Sequence, residues 1–129
     1  MARPRLGDLQ LAILEVLWER AEATVADVHE SLLVDRGLAT TTIATMLRKM
    51  EERHLVAQRR DGRVLIYRAR VERDAVHRSL VGDLVARLFD GDPKALVHHL
   101  IDEGDLDAAA IDELRRRVQK RRKEASDVR

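Results

Sequence analysis

A mainly α chain with one small β hairpin is the fold this sequence predicts, and three observations predict it. Apolar residues recur at helical spacing along most of the 129 residues, and aromatics are only 2%, so the core must be built from Leu, Val, Ile and Ala, a set that favours helices. One stretch breaks that period: residues 56–59 and 63–68 read as short strands around Asp61-Gly62, a strong hairpin-turn signal. The hairpin is basic and follows directly on a short helix with a polar outer face. That order of parts is a winged helix-turn-helix, a reading helix followed by a basic wing. After Arg70 the composition shifts and only helices follow, so the expected division is a winged-helix DNA-binding domain over 1–70 and a helical dimerisation domain over 71–129.

Each element has a local reason. A first helix is expected over residues 8–19, where Leu9, Ile13, Val16 and Leu17 share a face that Leu14 and Trp18 widen. Asp8, Ala12, Glu15 and Glu19 leave only a narrow polar strip, and Trp18 reads as core. Thr24 and Asp27 have the spacing of a capping box that opens a second helix, with Asp replacing the more usual Glu or Gln. This helix turns Val25, Val28, Leu32 and Leu33 inward and can stop at Gly37. A third helix begins near Thr40, with Ile43, Met46, Leu47 and Met50 as its core stripe. In the hairpin, Val64 and Ile66 alternate with Leu65 and Tyr67 across two faces. A fourth helix carries Val76, Leu80, Val81, Leu84, Val85, Leu88 and Phe89; Gly91-Asp92-Pro93 breaks it and starts a fifth, which buries Leu96, Val97, Leu100 and Ile101 and stops at Gly104. Asp107 can cap a last helix carrying Ile111, Leu114 and Val118, while the charged tail, 115–129, is expected to fray.

The net charge of +1 announces no partner, but the local charge does. From Arg48 to Arg70 eight basic residues face three acidic ones, a net of +5. On the third helix Thr41, Thr45, Arg48 and Glu52 lie opposite the core stripe, flanked by Thr42 and Lys49. A threonine hydroxyl can bond a phosphate or a base edge, its methyl can meet a thymine methyl, and Arg48 can grip guanine or phosphate. Thr40 divides evenly between contacting DNA and capping the helix. Lys49 and, on the wing, Arg59, Arg60 and Arg63 suit the phosphate backbone. The candidate DNA-binding residues are therefore Thr40, Thr41, Thr42, Thr45, Arg48, Lys49, Arg59, Arg60 and Arg63. The C-terminal helices have more apolar surface than some sixty residues can hide, so Leu80, Leu84, Leu88, Leu96, Leu100, Ile111 and Leu114 are candidates for an isologous homodimer contact.

Other chemistry has little footing. Without cysteine there is no disulfide or thiolate metal site. No H-E-x-x-H, G-x-S-x-G or phosphate-binding glycine loop occurs, so no enzyme and no cofactor are expected. His98 and His99 adjoin Asp102 and Glu103, a weak metal-site pattern that leaves open a His-based metal-responsive regulator. His29, His54 and His77 stand alone and read as structural. A winged helix serving as a protein-interaction module is a further alternative, one that explains the fold but not the basic wing as well. No apolar run is long enough to span a membrane and no signal-peptide core follows the start, so no membrane insertion and a cytoplasmic location are expected.

These residues also carry a family resemblance. LGDLQLAILEVLW with Trp18, TVADVHESL, T-I-A-T at Thr42 to Thr45, DGRVLIY through Tyr67, LV-x-x-L-I and the ELRR helix together resemble the penicillinase repressor family (the BlaI and MecI type, with the copper-responsive CopY repressors as relatives). The resemblance runs over nearly the whole chain. It implies a homodimeric transcriptional repressor whose winged helix binds a dyad-symmetric, double-stranded DNA operator, controlling antibiotic-resistance or stress genes. It also implies as partner a membrane sensor protease or its downstream protease. Three departures stand out. Thr41 replaces the basic residue often found before T-I-x-T; Arg53-His54 replaces the Lys-Gly that usually ends the recognition helix; and His99-Leu100 stands where antibiotic-responsive members have the cleaved Asn-Phe bond. The missing cysteines exclude the thiolate copper sensing of the CopY relatives.

Overall fold

Helix α1 (Asp8–Arg20) leads into a two-residue strand β1 (Ala23–Thr24), then α2 (Val25–Arg36) and α3 (Thr40–Glu52). The hairpin β2 (Val56–Asp61) and β3 (Val64–Ala69) follows, and α4 (Arg73–Leu88), α5 (Pro93–Asp102) and α6 (Ala108–Asp127) complete the chain. The computed structural model describes residues 6–127, the side chains of 33–36 excepted. The chain divides into two compact units between Arg78 and Ser79, within α4 and therefore past the boundary at 70/71 expected from composition. The start of α4 belongs with the first unit because Val76 is buried, Trp18 Nε1 donates to the Val71 carbonyl at 2.9 Å, and the Arg73 guanidinium lies 5.6 Å from the Trp18 ring centroid. Trp18 itself is half-buried and packs against the core, with its polar N–H satisfied by that carbonyl.

The core of the first unit gathers Ile13, Leu14 and Leu17 from α1, Val28 from α2, and Ile43, Leu47 and Met50 from α3, closed by Val56 and Tyr67 of the sheet. Met46, expected in the α3 stripe, is half-buried at its edge with its Sδ 3.5 Å from Gln10 Nε2. Ala12, read as part of a polar strip, is buried with Val16 and Leu32, since a methyl group gives up nothing by leaving water. Leu33, expected to point inward, has its side chain outside the described residues. Thr24 and Asp27 form the capping box: Thr24 N–H donates to Asp27 Oδ2 at 3.0 Å and Asp27 N–H donates to Thr24 Oγ1 at 3.1 Å. His29 Nε2 lies 2.8 Å from the Leu38 carbonyl and ties α2 to the following loop.

The sheet is antiparallel in the order β1-β3-β2. Sequence reasoning found the hairpin but not β1, whose two residues pair Ala23 with Tyr67 and Thr24 with Ile66. The turn is also displaced from the expected Asp61-Gly62. Asp61 pairs with Val64, which leaves Gly62-Arg63 as the two loop residues, with Gly62 at φ 63°. A positive φ at the first loop position alone is the type II′ requirement, which glycine meets without strain. Tyr67 is buried and Leu65 packs against the core, while Val64 is exposed.

In the second unit, Asp92 caps α5 by accepting from Lys94 N–H at 3.0 Å, with Pro93 in the first turn. Asp107 caps α6 by accepting from Ala110 N–H at 2.8 Å. The tail, expected to fray, is helical over its described residues. Helix α6 continues to Asp127, because Arg, Lys, Gln, Glu and Ala are strong helix formers and no Gly or Pro interrupts them. Val85 is the single buried side chain among the described residues of this unit. No helix among the described residues is long and apolar enough to cross a membrane.

Candidate nucleic-acid interface

The α3 stripe fixes what the helix shows to solvent. With Ile43, Leu47 and Met50 fully buried, Thr40, Thr41, Thr42, Thr45, Arg48 and Lys49 are all exposed. The N-cap is Ala39, whose carbonyl accepts the Thr42 N–H at 3.1 Å, and no side chain caps the helix. The threonine hydroxyls are thus not occupied in capping, and among the described residues none of these four makes a hydrogen bond. Thr41, Thr45 and Arg48 recur at i, i+4 and i+7, so two methyl-hydroxyl pairs and a guanidinium line one stripe.

The end of α3 sets the wing's direction. His54 sits at φ 63°; its N–H donates to Glu51 O at 2.9 Å, and Leu55 N–H donates to Met50 O at 2.9 Å. This is a Schellman motif with histidine in the left-handed position where glycine is usual. Two contacts hold it there: Arg70 Nη1 lies 3.3 Å from His54 Nδ1, and Arg70 N–H donates to Leu55 O at 2.9 Å. The chain therefore leaves the helix already paired to the far end of the wing.

On the wing, Arg60 and Arg63 are exposed and outside the ion pairs of the described residues, with Arg63 in the turn itself. Arg59 is also exposed but engaged. Its Nε donates to Glu22 Oε2 at 2.7 Å and its Nη2 to Glu22 Oε1 at 3.3 Å, a two-pronged pair between the wing and the residue before β1. That hydrogen bond lowers the pKa of the Glu22 carboxyl below its ordinary value and raises that of Arg59. Tyr67 reaches from β3 toward α3; burial first, then the Glu51 carboxylate, push its phenol upward while Arg48 pulls it down. Glu22 and Tyr67 are the residues that sequence reasoning left out of this site. The 37-residue separation of Glu22 from Arg59 hid that pair.

The histidines of α5 gather no ligand set. His99 packs on Phe89 with ring centroids 5.9 Å apart, and His98 borders an apolar hollow. Among the described residues no group of three or more His, Asp or Glu side chains is placed to hold a metal ion.

Comparison with known proteins accords with this geometry. Residues 6–120 match the family model described as penicillinase repressor. The chain belongs to the penicillinase repressor family. Over 114 residues it is 40% identical to the transcriptional regulator BlaI of Mycobacterium tuberculosis, covering 87% of this chain and 81% of that one. It is 21% identical over 111 residues to the penicillinase repressor of Bacillus licheniformis, covering 86% and 87% of the two chains. A solution structure of the DNA-binding domain of the repressor BlaI shares the fold of the first unit, at a TM-score of 0.50 and 23% identity over 54% of this chain and 85% of that one. The penicillinase repressor family is one of DNA-binding transcriptional repressors, not of enzymes.

Proposed function

We propose that this chain represses transcription as a homodimer, its first unit reading an operator half-site and its second unit joining the two copies. The observation that carries the reading is the exposed stripe of α3, with unengaged threonine hydroxyls beside Arg48, next to a basic wing. In this reading Thr41, Thr45 and Arg48 face base edges in the major groove. Thr40, Thr42 and Lys49 meet flanking phosphates, and Arg60 and Arg63 hold the backbone from the wing. Arg59 joins them by exchanging Glu22 for a phosphate.

The second unit supports the dimer. Val81, Leu84, Leu88, Val97, Ile101, Leu114 and Val118 are all exposed, with Leu88 at 69% and Val118 at 59%. Fully burying one such side chain is worth about 1.5–3 kcal/mol. Of the candidates named from sequence, Leu84, Leu88 and Leu114 are exposed, whereas Leu80, Leu96, Leu100 and Ile111 are half-buried. Val97 and Ile101 add an open apolar hollow of about 290 Å³ with Pro93, Lys94 and His98. A dimer puts two reading helices on a palindrome. The protein works in the cytoplasm, where its operator lies, on antibiotic-resistance or stress genes. Release by a sensor protease or its downstream protease would act on α5, where His99-Leu100 lies inside the helix, so α5 must open before that bond is cut.

The test is capture of genomic fragments by the purified protein, followed by footprinting of the tightest one at physiological salt. A short palindromic footprint is expected. Binding that is diffuse or absent would overturn the repressor reading in favour of a protein-interaction module.

A further inference from the structure

Residues 115–123 of α6 hold seven basic side chains and no acidic one, the densest charge in the chain, and neither the reading helix nor the wing uses them. They are exposed and helical. The ion pairs among the described residues join Arg20 to Asp27 and Arg59 to Glu22, so none of the seven takes part. Like charges three and four residues apart repel along a helix, as Arg116 with Lys120 and Arg117 with Arg121 do here. The matched family segment ends at residue 120, so the last three, Arg121, Arg122 and Lys123, lie beyond it.

We propose that the C-terminal half of α6 is a second site for double-stranded DNA, one that grips phosphates without reading bases. This rests on the reading of the chain as a DNA-binding repressor. Nine residues of helix span about 13–14 Å, so seven charges lie about 1.9 Å apart along the axis. Duplex DNA carries one negative charge per roughly 1.7 Å of its own axis. The two linear densities nearly match. At about 100° per residue the cations spread round the helix, and those opposite the apolar stripe of Leu114 and Val118 can face a duplex while that stripe is covered.

The same stretch fits other polyanions less well. The apolar stripe of Ile111 and Leu114 ends at Val118, and from there to Asp127 no large apolar residue follows to enter a bilayer. No aromatic anchor stands among the cations to fill a pocket on a protein; Val118 alone is apolar there.

The experiment measures binding of a 40-base-pair mixed-sequence duplex by fluorescence anisotropy across a series of salt concentrations. It compares the full chain with the variant R121Q/R122Q/K123Q and with R121K/R122K. Glutamine keeps helix propensity, so circular dichroism should be unchanged. If that variant nevertheless loses helix, R115Q/R116Q/R117Q takes its place with the same readout. The slope of log affinity against log salt should flatten by about 0.9 for each phosphate contact removed, hence by about 1–3 for the triple variant. The lysine variant should keep the wild-type slope, since a point charge suffices for phosphate. Equal slopes for wild type and triple variant would overturn the proposal while leaving the repressor reading intact. A wild type that holds no duplex at all would remove both. Loss of binding to phosphatidylserine vesicles or to polyglutamate in the variant, with an unchanged duplex slope, would also overturn it and reassign α6 to a membrane or an acidic partner.

Discussion

At the scale of single residues, the proposed interface separates into side chains expected to read and side chains expected to hold. Arg48 lies on the same α3 stripe as Thr41 and Thr45, whereas Arg60 and Arg63 stand on the wing, away from any core contact. Arg48→Ala should therefore weaken operator binding by about 1–3 kcal/mol and relax the base preference beneath it. Arg60→Ala and Arg63→Ala should instead weaken operator and random duplex alike and flatten the salt slope by about 0.9 each. Selection of bound sequences from a random pool, run beside salt titrations, distinguishes the two behaviours; mutants that all bind as wild type would mean that α3 does not face DNA. Glu22 adds a test of its own. It holds Arg59, and in the proposed docking its carboxylate would face the phosphates that Arg59 meets. Glu22→Gln should tighten binding to any duplex and steepen the salt slope by about 0.9 as Arg59 is released. An unchanged slope would take Arg59 out of the interface.

At the scale of elements, what the sequence made legible was set by short-range pattern. Ile43, Leu47 and Met50 mark α3 because helical period and burial coincide there. The caps at Thr24, Asp92 and Asp107 follow from single residues acting on their own neighbours. Strand β1 had no such signal, since Ala23 and Thr24 are a strand only by virtue of Tyr67 and Ile66, more than forty residues on. The same distance effect concealed the Glu22–Arg59 pair and the bond from the Trp18 N–H to Val71. The turn was displaced because Asp-Gly fits a type I′ loop, while pairing of Asp61 with Val64 puts glycine first and Arg63 second. Capping of α2 yields a pH prediction. The backbone N–H of Thr24 first, then its hydroxyl, holds the Asp27 carboxyl below its usual value. A carboxylate with a depressed folded-state pKa contributes stability above its unfolded value, about 3.9, and loses it as pH falls through the folded value. Wild type should therefore be more stable than Asp27→Ala at neutral pH, and the gap should narrow below about pH 4. Urea unfolding of both proteins from pH 7 to pH 3 measures it; a constant gap would mean that the cap does not depend on charge. Thr24→Ala should cost about 1 kcal/mol in the same assay.

At the scale of the whole molecule, the two units differ in how they hold themselves together. The first has a closed core reaching from Ile13 to Tyr67, while among the described residues the second buries only Val85. A unit of three helices with so little interior is marginal alone, because small domains hide too small a fraction of their apolar surface to offset the ordering of the chain. In the proposed dimer the exposed Leu84 of α4 and Val97 and Ile101 of α5 form the surface that a second copy covers. Leu84→Asp would carry a charge into that contact without disturbing the first unit's core. Leu100→Asp puts the same charge at a half-buried position of α5. Both should halve the mass seen in light scattering at micromolar protein, because an unpaired carboxylate inside an apolar interface is costly. Operator affinity should fall in step, since each monomer then holds one half-site without the gain of tethering. Half-site affinity should stay close to wild type, which is the control that the winged helix still folds. A dimer that survives both changes would place the contact on another surface of this chain.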